Sequence, residues 1–332
     1  MSQAQSSAPP LIAPATGFRL DAVVYAVIGV AGALLWWLSH NHVARLPVWA
    51  PWEFSWVEFL SLWLTAWWYI RGLTVTPRSG RPWWPRQLAF FAGLLAIYGV
   101  METRFEYLAE HQFFFNRIQH VVMHHFGPML IALAWPGAML ARGMPGWVRR
   151  VCLHPLPAGI VYGLQQPVLA AILFSGSFFF WLIPAIHFRA MLDARLFAIM
   201  NWTMVAEGIL FWCLVLDPRP SPPARASFGA RAALAMVVMF PQIIGGAMIA
   251  FDPRDLYSFY DLCGRIYPEL GAHYDQTVGG LIVWIPPAMM SVAGLLLVLN
   301  ALRRAEERKV QDDQANDNEA QFALDSRQWT GG

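Results

Sequence analysis

The sequence predicts an all-α, polytopic membrane bundle of about eight transmembrane helices, with seven as the other count, and with both termini cytoplasmic. Three observations carry this: 57% of the 332 residues are hydrophobic, only 13% are charged, and long uncharged runs recur along the chain. Soluble domains run near half apolar and about a quarter charged, so an ordinary water-soluble fold is excluded. Net charge is +2, which leaves no basic field for a nucleic-acid partner. Cys152, Cys213 and Cys263 are too few and too scattered for a disulfide framework, a CxxC redox pair or a thiolate cage.

Residues 1–19 are rich in Ser, Ala and Pro and read as a flexible tail ahead of a transmembrane domain over 20–302. Leu20–Leu38 is long enough to cross about 30 Å of hydrocarbon as the first helix. Further spans are expected at Trp56–Ile70, Leu88–Met101, Ile118–Ala141, Pro157–Pro184, Leu196–Leu216, Ala232–Phe251 and Thr277–Leu302. Each must be helical because lipid satisfies no exposed backbone group. Trp56–Ile70 and Leu88–Met101 are short and extend through polar ends carrying Glu58, Glu102 and Glu106. The uncharged run from Val151 to Phe188 reads as one helix plus an interfacial segment; splitting it would invert everything downstream. Residues 303–332 are polar and mixed in charge, and are expected to be a disordered tail.

Cations test the parity, since they accumulate in short cytoplasmic loops. One side collects sixteen of the 23, among them Arg71, Arg86, Arg142, Arg219 and the tail; the other holds Arg45, Arg104, Arg117, Arg189, Arg195, Arg254 and Arg265. Paired tryptophans such as Trp36–Trp37 and Trp83–Trp84 fit the aromatic belts at the two interfaces. With this topology every histidine except His154 falls on or near the outer face, as do most acids before the tail.

Ionisable groups within a membrane are costly and are functional candidates. Gln119-His120-Val-Val-Met123-His124-His125 is the sharpest local feature. His120 and His124 stand one helical turn apart and can face a single ion, while His125 turns about 100° away. The alternative is a histidine pair bonded to neighbouring helices or interfacial water. Met123 and Met129 are soft donors nearby, although packing explains methionines in so apolar a chain equally well. Glu102, Glu106 and Glu110 form an i, i+4, i+8 stripe whose mutual repulsion calls for neutralisation. Arg104 or Arg117 could supply it, or a cation held between the stripe and the histidines. Asp275-Gln276-Thr-Val-Gly279-Gly280 opens the last helix, where Asp275 fits a first-turn cap and the glycines permit close backbone approach. Glu207 and Asn201 mark a polar interior on the sixth expected span.

His120-x3-His124 followed by Pro128, then Pro184 with His187, then Gly208–Trp212, then Asp275-Gln276-x2-Gly279-Gly280-x3-Trp284, resembles the multi-pass CtaG family over about 85–302. Those proteins are bacterial assembly factors for cytochrome c oxidase. The resemblance implies an integral inner-membrane assembly factor of the respiratory chain, not an enzyme, with oxidase subunits, the lipid bilayer and a periplasmic copper chaperone as partners. It also implies copper bound on the outer face and supplied to, or stabilised in, the oxidase. The metal residues so implied are His120 and His124, with His111 or His187 as a third. Glu106 or Asp275 would orient an imidazole, and Gln276, Gly279 and Gly280 complete the family motif. Imidazole and thioether suit copper, which tops the divalent series, though zinc binds the same donors. The chain departs from the family pattern at Trp181-Leu182-Ile183-Pro184, which has no histidine before the proline, and at Asn201. Other readings of the same residues are a diiron oxygenase or desaturase, which needs several histidine clusters, a haem carrier, and a haem- or metal-handling transporter.

Overall fold

The computed structural model describes residues 15–329, and among these every regular element is helical. Residues 1–14, and with them most of the expected flexible tail, lie outside the described residues. The chain begins with α1 (Ala15–His42), α2 (Trp56–Val75), α3 (Trp84–Met101), α4 (Arg104–His111) and α5 (Phe113–Val121). A π-helical turn, Val122–Phe126, joins α5 to α6 (Gly127–Ala134). There follow α7 (Gly137–Gly143), α8 (Gly146–Cys152), α9 (Pro155–Leu164), α10 (Pro167–Leu182), α11 (Pro184–Leu192) and α12 (Ala194–Val215). The last elements are α13 (Phe228–Val237), α14 (Met239–Phe251), α15 (Phe259–Cys263) and α16 (Ala272–Trp329).

Four helical stretches among the described residues are long and apolar enough to cross a membrane: Leu20–Arg45, Ala194–Val215, Phe228–Phe251 and Ala272–Glu319. The pair α9 and α10, bent by 77°, makes a fifth when counted as one span. The bend sits at Gln165-Gln166-Pro167, where Gln166 Oε1 accepts the Leu169 N–H at 2.6 Å and starts a new helix. That polar, proline-bearing turn breaks the expected span Pro157–Pro184 within the run read as one helix plus an interfacial segment. Ile118–Ala141 is also interrupted, because Trp135 adopts a left-handed conformation (φ 51°) ahead of Pro136, which disfavours α-helical geometry in the residue before it. The expected tail differs as well: α16 continues through residues 303–329, with exposed side chains from Glu306 to Glu319. Ala, Glu, Gln, Lys and Arg are strong helix formers, and Arg303 Nε lies 3.6 Å from Glu307 one turn on.

The bundle has two chemically distinct ends. At one, Arg71 pairs with Asp21 (2.8 Å) and donates to the Gly143 carbonyl, Arg142 donates to Thr76, and Arg219 chelates Asp217. Of the cations that the loop count put on one side, Arg71 and Arg142 meet through Gly143 and Thr76, and Arg86, Arg304 and Arg308 line one cleft with Asp217. At the other end Pro51 bridges to Thr103, and Asp275 meets the start of α5. Between them lie two apolar clusters. One centres on Phe90, Phe113, Met123, Met200, Tyr257 and Val283, the other on Phe174, Phe211, Trp212, Leu234 and Val298.

Candidate metal site

The histidine helix is positioned from α16. Both carboxylate oxygens of Asp275 accept backbone N–H groups of the first turn of α5, Phe113 at 3.0 Å and Phe114 at 2.8 Å. Asp275 thus caps a neighbouring helix rather than only its own, where a negative charge is favoured by the unsatisfied donors and the helix dipole. Arg265 closes on the same carboxylate and also pairs with Asp261 at 2.7 Å. Asp275 is fully buried and the Arg265 side chain is 5% exposed. One turn along α16, a Cβ on Gly279 would collide with the Phe113 ring, and one on Gly280 would stand 2.7 Å from the Gly246 carbonyl of α14. Gln276 holds the chain after α14, accepting from Leu256 N–H (2.8 Å) and donating to the carbonyls of Ile249, Asp252 and Arg254. The Asp-Gln-x-x-Gly-Gly motif is therefore a clamp that fixes α5 and α14 against α16. Its hydrogen bonds go to backbone and to Arg265, none to an imidazole.

The π-helical turn follows from Pro128. Lacking an N–H, it leaves the His124 carbonyl without its usual donor, and Gly127 N–H reaches back to Val122 instead. The freed carbonyl lies against Gly208 of α12, at a distance that admits no Cβ. Within this turn His124 stacks on Phe174 (4.0 Å) and lies 5.5 Å from Phe178. His124 Nδ1 and His125 Nδ1 are 3.2 Å apart, and His125 Nε2 is 2.9 Å from the Gln242 amide nitrogen. His125, which helical spacing turned away from the site, is thus joined to His124. Gln242 went unremarked in the sequence although it is the one polar side chain of α14, a signal by the rule that polar groups inside a membrane need partners.

His120, His124, His125 and His187 are all buried to within 1% exposure. Among the described residues neither nitrogen of His120 has a hydrogen-bond partner, nor has His124 Nε2 or His187 Nδ1, while His187 Nε2 pairs with the Tyr260 hydroxyl at 3.0 Å. These are the nitrogens that remain open to a further partner. Arg117 is buried nearby, over the Phe113 ring (4.9 Å) and beside Asn116, with Nε and Nη1 unpartnered, and its charge bears on both His120 and His187. His111 packs on Tyr107 at 4.2 Å, with Nδ1 2.8 Å from the Tyr107 carbonyl. Among the described residues no three His, Cys, Asp or Glu side chains converge so as to hold a metal ion. The structure therefore joins His124 and His125 with Gln242, places His120 within range of the His124 and His187 charges, and leaves His111 on its own helix.

The acidic stripe is not one helical face. The chain breaks at Glu102-Thr103, and neither expected arginine neutralises it: Arg104 sits over Trp52 at 4.6 Å and Arg117 faces Phe113. Glu106 and Glu102 are buried, with both Glu102 oxygens unpartnered. Burial pushes the Glu102 carboxyl, past the end of α3, up to about 8, with the charge of Glu58 adding to it. Burial, with the charge of Glu53, pushes Glu110 up to about 7; Glu106 is raised well above the usual carboxylate range by burial and by Glu58, Glu110, Glu53 and Glu102. Proton uptake rather than ion pairing relieves the repulsion.

An all-helical bundle with spans long enough for a bilayer, built around partnerless buried histidines, defines an integral membrane protein with a polar interior site. The model of the cytochrome c oxidase caa3 assembly factor family (Caa3_CtaG) matches residues 67–305, and the chain belongs to that family. The match begins within α2, earlier than the motifs alone indicated, and leaves α1 outside. No curated protein and no solved structure matches the chain. Its role is therefore that of the family, oxidase assembly, and the oxidase is its partner.

Proposed function

We propose that this assembly factor receives copper as cargo at His120 and His124 and passes it to, or stabilises it in, the oxidase. The observation that carries the reading is His120, which is 1% exposed with neither ring nitrogen hydrogen-bonded. A buried polar group without a partner costs about 1–3 kcal/mol, so a persistent one marks a site completed by something else. His187 Nδ1 is the next free donor atom. The Arg117 charge opposes a cation in proportion to its valence, which favours cuprous over divalent ions, and buried Met123 supplies the soft surroundings that suit cuprous copper.

The amide of Gln242 governs the second ligand. With its nitrogen facing His125 Nε2, the neutral ring of His125 carries its proton on Nδ1, donates to His124 Nδ1 and leaves the His124 proton on Nε2. Turned over, the Gln242 oxygen accepts from His125 Nε2, the pair reverses, and His124 Nε2 becomes a free lone pair for the ion. The reading further includes eight spans with cytoplasmic termini in a bacterial inner membrane, an outward-facing histidine site, a periplasmic chaperone as donor, and no catalysis. The joint position of the arginines at one end supports that orientation.

The test is metal content by plasma mass spectrometry after copper loading and desalting, comparing detergent-purified wild type with the His120→Ala/His124→Ala double variant. Near-stoichiometric copper, lost in the variant together with host oxidase activity at unchanged protein abundance, is expected. Absence of copper from both proteins, or normal oxidase in the variant, overturns the reading.

A further inference from the structure

A cleft of about 180 Å³ opens at the arginine-rich end, between the start of α3, the end of α12 and the stretch of α16 past Asn300. Arg86, Arg304 and Arg308 line it, and among the described residues none has a carboxylate within ion-pair distance. Asp217, the one acid on its wall, has both oxygens engaged by Arg219 at 2.9 and 2.7 Å. Arg304 and Arg308 stand at i, i+4, where like charges destabilise a helix, and Arg86 from another helix adds a third. Such an arrangement calls for an anion. The opposite wall is apolar, formed by Leu133, Val215, Leu297 and the partly buried Trp135, and it continues toward the membrane-spanning part of α16. A cleft that joins guanidinium groups without a carboxylate partner to an apolar wall has the chemistry of a phospholipid headgroup site. Guanidinium also suits phosphate because its planar donors can bind two oxygens at once.

We propose that this cleft is a binding site for the phosphate headgroup of an anionic phospholipid, held by Arg86, Arg304 and Arg308, with an acyl chain along Leu297 and Leu133. The site lies at the opposite end of the bundle from Asp275 and does not depend on copper binding.

The full-length protein in detergent is titrated with phosphatidylglycerol, phosphatidylcholine or inorganic phosphate and examined by native mass spectrometry. The variants are Arg86→Gln/Arg304→Gln/Arg308→Gln and, as a control of equal charge change, Arg78→Gln/Arg149→Gln/Arg150→Gln. Wild type and control should retain phosphatidylglycerol at least about tenfold better than phosphatidylcholine, and the cleft variant should lose that preference while keeping its helical content. Equal loss in the two variants reduces the effect to net charge, and equal retention of the two lipids removes the headgroup; either overturns the site. Displacement of the lipid by millimolar inorganic phosphate that is itself retained overturns the lipid assignment.

Discussion

Replacing Asp275 by Ala tests whether the family's acidic residue shapes the bundle or touches the ion. The substitution removes acceptors from two backbone N–H groups, one buried and one partly buried, at 3.0 and 2.8 Å and leaves Arg265, 5% exposed, short of one counter-charge. A hydrogen bond to a charged acceptor contributes about 1.5–3 kcal/mol, and breaking a buried pair from one side costs about 3–5 kcal/mol. The terms overlap, and Asp261 still meets Arg265 at 2.7 Å, so the expected loss is about 3–5 kcal/mol in total rather than the sum. Asp275→Asn keeps one carbonyl acceptor and should fall between the two proteins. The assay is thermal unfolding of detergent-purified protein, with copper per folded molecule measured in parallel. Adding Arg265→Met to the Ala variant should recover part of the loss, because the stranded guanidinium goes with it. An Asp275→Ala protein that melts with wild type but binds no copper would refute the reasoning and return the carboxylate to the metal site.

Gln242→Leu removes the group that orients the His125–His124 pair, and copper affinity should drop about 10- to 100-fold, the usual effect of losing an outer partner of a ligand; unchanged affinity in a competition titration with a chelator would show that the pair orients itself. The raised carboxyls give a pH dependence of definite sign. Folded Glu102 and Glu110 hold protons up to about 8 and about 7, whereas unfolded carboxyls release them near 4.5, so the folded state binds the extra protons and stability falls as pH rises across that window. Melting temperature should therefore decline from pH 5 to pH 8, and Glu110→Gln should flatten the part below about 7; a melting temperature that rises over the same interval would contradict the assignment.

The membrane class was legible because it depends on a local quantity, apolar run length; the four-residue spacing pairs His120 with His124, whereas the hydrogen bond joins His124 to His125. What escaped the sequence depends on third parties. Trp135-Pro136 and Gln166-Pro167 end helices inside apolar stretches, and hydropathy is blind to a missing N–H. Arg104 and Arg117 were suitable in charge for the glutamates, but aromatic faces hold them elsewhere. Asp275 looked like a cap on its own helix because capping is usually local, and only the fold shows the orphan donors it serves on α5.

The same distinction bears on how a motif should be interpreted. Asp275, Gln276, Gly279 and Gly280 make contacts that only those side chains, or the lack of one, allow: a buried carboxylate on two N–H groups, a three-carbonyl clamp, and two close approaches. All their needs are met within the protein. His120 is the opposite case, equally buried and with nothing to bond. Residues whose polar atoms are satisfied internally hold a frame, and residues left unsatisfied inside it are where a ligand has something to gain. In this bundle the clamp on α16 fixes the first turn of α5, and the same helix carries the unsatisfied imidazole of His120 two turns further in.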